Sequence, residues 1–115
     1  MKPEERKRFA VMTLAEGEEI AGMWVTKPVP DSGLYKLIAK KRADGRYEWA
    51  HFIHRADGRK EVILRGEAEN QEQLDNLVEI INRNLRQTFG PAFALEPAAM
   101  DVYSLDGKKA PPTVL

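Results

Sequence analysis

Arg42-Ala43-Asp44-Gly45-Arg46 recurs unchanged as Arg55-Ala56-Asp57-Gly58-Arg59, and each copy joins two stretches in which apolar and polar side chains alternate. Alternation of this kind is the period of a half-buried strand, so both pentapeptides read as hairpin turns. Asp at the second central position tolerates the bridge region, and the Gly after it can take a positive φ. That combination suits a type I turn closed by a one-residue glycine bulge. Ala15-Glu16-Gly17 reads as a third, weaker copy. Because turn type fixes register, the repeat specifies which side chains share a sheet face.

Working outward, the turns predict strands over 34–41, 47–54 and 60–67. Residues 8–14 and 18–26 flank the third turn and predict a further hairpin. The first arm has a rival reading, because Pro3, Glu4, Glu5 and Gly17 would also bound a helix over 3–16. Strand is preferred there, since Phe9, Val11 and Thr13 are β-formers and leave no helical stripe. Lys27-Pro28-Val29-Pro30-Asp31-Ser32-Gly33 is a loop, because two prolines cannot continue a ladder. Asn70 with Gln73 has the spacing of a capping box and opens a helix over 71–89. Leu74, Leu77, Val78, Ile81, Leu85 and Phe89 form its apolar stripe, and Gly90-Pro91 ends it. A Pro-rich tail over 91–115 follows, with one short strand expected at 101–105. The expected fold is α+β over a single domain, 1–115: an antiparallel meander of four to five strands, packed on one face by a single long C-terminal helix.

The registers set by the turns put Ala39 opposite Trp49, Leu37 opposite His51, His51 opposite Ile63 and Trp49 opposite Arg65. One face then gathers Leu34, Ile38, Ala50, Phe52, Val62 and Leu64, and this is the face assigned to the helix. The other holds Tyr35, Leu37, Ala39, Tyr47, Trp49, His51, Ile53 and Ile63, mixed with Lys41, Glu61 and Arg65. A solvated sheet face is mostly polar, so this second face needs a cover. Three are open: the N-terminal segment or the tail, a second subunit, or a ligand. A cation–π contact between Trp49 and Arg65 is a further expectation.

Acidic and basic residues balance at 18 each, so overall charge singles out neither nucleic acid nor membrane. The local distribution is uneven, with eight bases against three acids over 34–60 and six acids against one base over 61–82. With no cysteine in the chain, disulfides and thiol chemistry are excluded. No apolar run has the length of a membrane span or signal peptide, which makes the cytoplasm the expected location. The two histidines, His51 and His54, would point to opposite faces of one strand and so cannot share a metal. Neither serine, Ser32 or Ser104, lies in a nucleophile elbow, and the glycines form no phosphate loop. No catalytic residue, metal or cofactor is therefore expected.

The basic strand Tyr35-Lys36-Leu37-Ile38-Ala39-Lys40-Lys41, Gly45-Arg46-Tyr47 and the helix opening Gln71-Glu72-Gln73-Leu74 resemble, in the order of four strands and a helix, the repeating unit of Whirly and Pur-alpha single-stranded nucleic-acid binders. The resemblance is one of topology over about half the chain and carries no functional residues across. The functional expectation is a small non-enzymatic binding protein. Its ligand or partner surface would comprise Tyr35, Lys41, Arg46, Tyr47, Trp49, His51 and Arg65, with single-stranded nucleic acid as the first candidate ligand. The alternative is a protein-interaction or structural homodimer that buries the same face between subunits.

Overall fold

The computed structural model describes residues 11–99 together with the backbone of 105 and 106. Its elements in chain order are β1 (Met12–Thr13), β2 (Glu19–Val25), β3 (Leu34–Lys41), β4 (Tyr47–His54), β5 (Lys60–Ala68), α1 (Gln71–Phe89), β6 (Glu96–Pro97) and β7 (Leu105–Asp106). Five strands form one antiparallel sheet in the order β5-β4-β3-β2-β6, with α1 packed against it, the α+β arrangement expected.

Both repeated turns have the expected geometry. Gly45 and Gly58 sit at φ 88° and 93°, Gly45 N donates to Arg42 O at 2.9 Å, and Gly58 N donates to Arg55 O at 2.9 Å. Asp44 and Asp57 each accept the N–H of the arginine two residues on, at 3.0 Å. The β3–β4 register follows from the first turn over its whole length, from Lys41 opposite Tyr47 to Leu34 opposite His54.

The β4–β5 ladder keeps the expected register only through Phe52 opposite Val62, then shifts by one residue, so that His51 faces Leu64, Ala50 faces Arg65 and Trp49 faces Gly66. Ile63 is the extra residue of a β-bulge. The shift sets a glycine under the Trp49 ring, where a Cβ on Gly66 would come within 2.5 Å of Trp49 Cζ2. Trp49 therefore has no cation–π contact with Arg65, which is carried to the opposite face. The first arm also departs from expectation. Met12–Thr13 pairs in parallel with Leu105–Asp106 and not with β2, so the sheet's fifth strand comes from β6, beyond the helix. Of the strand expected at 101–105, only residue 105 lies among the described residues.

The helix lies on the face opposite to the one assigned from sequence. Leu74, Ile81 and Leu85 pack with Leu37, Ala39 and Trp49, and Tyr35, Tyr47, Trp24 and Phe89 border this cluster. The other face, built on Met23, Ile38, Ala50 and Phe52, is covered by Val11 and Met12. Lysine distribution gives the reason. Lys36 and Lys40 lie buried on that second face, and an aliphatic helix stripe has no acceptors to satisfy them. A covering segment with free carbonyls does. Lys40 Nζ donates to Thr13 O at 2.7 Å and pairs with Glu18 at 2.7 Å, and Lys36 Nζ lies 3.0 Å from His54 Nδ1.

Candidate interaction edge

The residues expected to form one binding surface are dispersed. Trp49 is only 8 % exposed and His51 is likewise buried, both beneath the helix layer. Tyr35 is half-buried, with its ring 5.3 Å from Phe89 and 6.1 Å from His51. Tyr47 borders the same cluster. His51 Nδ1 donates to Lys36 O at 3.0 Å, and burial pushes its pKa below the ordinary 6.5 despite that bond. The aromatic face is therefore part of the chain's own core, and its cover is α1. Lys41 and Arg46 remain exposed. Arg46 pairs with Glu69 at 3.4 Å, while Lys41 lines a shallow, mainly polar concavity with Glu19, Arg42, Ala43 and Asp44. Arg65 extends over the other face, where Nη1 donates to Val11 O at 2.6 Å.

Among the described residues no three metal-ligating side chains converge and no helix is long and apolar enough to cross a membrane. What the structure does expose is β5. It forms one border of the sheet, and its central residues Val62, Ile63 and Leu64 are 40 %, 48 % and 56 % exposed. No other run of large apolar residues among those described is left so open, Ile80 on α1 being a single exposed side chain. The opposite border differs. There β6 covers Trp24 and Val25, Ala98 N donates to Met23 O at 2.9 Å, and Pro97 offers no N–H to a further strand. The Glu19–Gly22 stretch outside β6 carries an irregularity of its own, between Ile20 and Gly22.

Sequence reasoning placed Val62 and Leu64 under the helix, so it did not find this edge. The available signal was positional: a meander of which the last strand is followed directly by a helix leaves that strand with one neighbour. No protein-family model, curated protein or solved structure matches the chain.

Proposed function

We propose that the chain is a non-catalytic protein-interaction domain that takes up an extended segment of polypeptide along β5. The observation carrying this reading is the exposure of Val62, Ile63 and Leu64 on a nine-residue border strand. Such an edge presents a row of main-chain donors and acceptors beside apolar side chains. Proteins generally blunt long apolar edges or use them to add strands. The stacking reading for nucleic acid loses its support, because a base needs an open ring face and Trp49 has α1 on one side of it and Gly66 beneath its ring.

The test is amide NMR with an extended peptide of alternating valine and lysine at millimolar concentration. The amide signals of Lys60–Ala68 should shift, and a peptide N-methylated on alternate nitrogens should shift them far less, because strand addition depends on backbone donors. Shifts centred on β2 or α1, or an equal response to the N-methylated peptide, would overturn the proposal.

A further inference from the structure

Each residue of a strand turns its N–H and C=O toward one neighbour only, alternating along the chain. Arg42 N donates to Arg46 O and Arg55 N donates to Arg59 O. Counting from either turn, Tyr47, Trp49, His51 and Ile53 direct their main-chain groups to β5. Their partners there are Ala68, Gly66, Leu64 and Glu61, and bulged Ile63 sits beside Leu64. The residues of β5 whose main-chain groups point away from the sheet are therefore Lys60, Val62, Arg65 and Glu67.

Without a bulge these outward positions would be two residues apart throughout. Here the gaps are two, three and two, a pattern that reads the same in both directions. An unbulged strand falls out of step after one half of it, whereas an antiparallel copy of β5 with the same bulge matches all of it. We infer that the segment taken up by β5 is the β5 of a second copy of this chain, with Lys60 of each copy opposite Glu67 of the other and Val62 opposite Arg65. This rests on the strand-addition reading above and names its partner.

Charge supports the same register. Lys60 meets a carboxylate at both ends of the paired segment, and two opposite charges facing across an antiparallel pair attract. Glu67 already accepts Arg42 Nη1 at 2.9 Å while its side chain stays 51 % exposed, and a carboxylate has lone pairs for a second cation. Ile63 and Leu64 of both copies meet at the twofold axis, where the most exposed apolar side chains of β5 lie. Sliding the copies by one residue sets outward groups against inward ones, and longer slides keep at most half of the paired positions.

The experiment is sedimentation velocity on the full chain and three variants, with thermal unfolding to confirm that each is folded. Wild type should sediment as a dimer at high micromolar concentration. Lys60→Glu and Glu67→Lys each place like charges together twice and should weaken self-association by about tenfold or more. An equimolar mixture of these two singly changed chains should recover the dimer, since every facing pair in the mixed species is again opposite in sign, and the double variant should do likewise. A wild-type chain that stays monomeric while the valine–lysine peptide still shifts β5 sinks this inference and leaves strand addition standing. A monomer that also ignores the peptide sinks both. A dimer indifferent to either charge change, or a mixture that fails to associate, overturns the register and its pairing.

Discussion

Gly66 owes its identity to Trp49. Its conformation is open to any residue, so the constraint is contact alone, and an added Cβ would meet the indole ring at 2.5 Å. Gly45 is the converse case, with nothing within 4 Å but φ at 88°. Gly66→Ala should therefore destabilise by overpacking, by about 1–3 kcal/mol, and should alter Trp49 emission. Gly45→Ala should cost about 1 kcal/mol through backbone strain and leave the emission unchanged. Equal spectra for the two variants in urea titrations would contradict this division. At His51 the neutral form is favoured in the fold because the ring is buried. Below the ordinary value of 6.5 the unfolded chain takes up a proton that the folded chain resists. Stability should thus be intact above that pH, fall as pH drops through it, and level off below the lowered folded pKa. His51→Gln should flatten the profile, measured as urea midpoint against pH. The two turns and the β3–β4 register were legible residue by residue because hairpin chemistry is local. The bulge at Ile63 was not, because it answers to a ring on the neighbouring strand.

Element boundaries were similarly legible where the cause is local. Asn70 caps α1 through a 2.9 Å bond from Gln73 N, and Gly90 N closes the other end on Arg86 O at 2.9 Å. The apolar stripe was identified correctly, yet its docking face was not. That choice depends on whether Lys36 and Lys40 can find acceptors, and those acceptors come from Thr13, Glu18 and His54. Only the assembled tertiary structure brings them together. For the helix we expect Ile81→Ala to cost about 2–5 kcal/mol, since Ile81 is buried against the sheet. Ile80→Ala, at an exposed position, should shift the unfolding midpoint far less. Comparable losses would place a second layer over the outer surface of α1. Asn82, although off the stripe, accepts the N–H of buried Leu95 at 2.7 Å and so ties the segment after the helix back onto it.

At the scale of the whole molecule, the sheet has a helix on one side and the segment containing Val11 and Met12 on the other. Trp49 is accordingly shielded within the single chain. In a Trp24→Phe background its emission should resist acrylamide quenching and stay unchanged on addition of single-stranded oligonucleotide at low salt. Strong salt-sensitive quenching by the oligonucleotide would restore the nucleic-acid reading. The two borders of the sheet are unequal, one open along β5 and the other interrupted near Ile20 and covered by β6 with its Pro97. In the vocabulary of polymer chemistry, the strand addition proposed for β5 would make this chain, over its described residues, monofunctional. A bifunctional unit, with a receptive edge on each side, propagates into a fibre. A unit with one receptive edge is a chain stopper: once that edge is consumed, growth ends, and under the pairing proposed above the exposed apolar strand β5, which would otherwise seed open-ended assembly, would be limited to a finite complex.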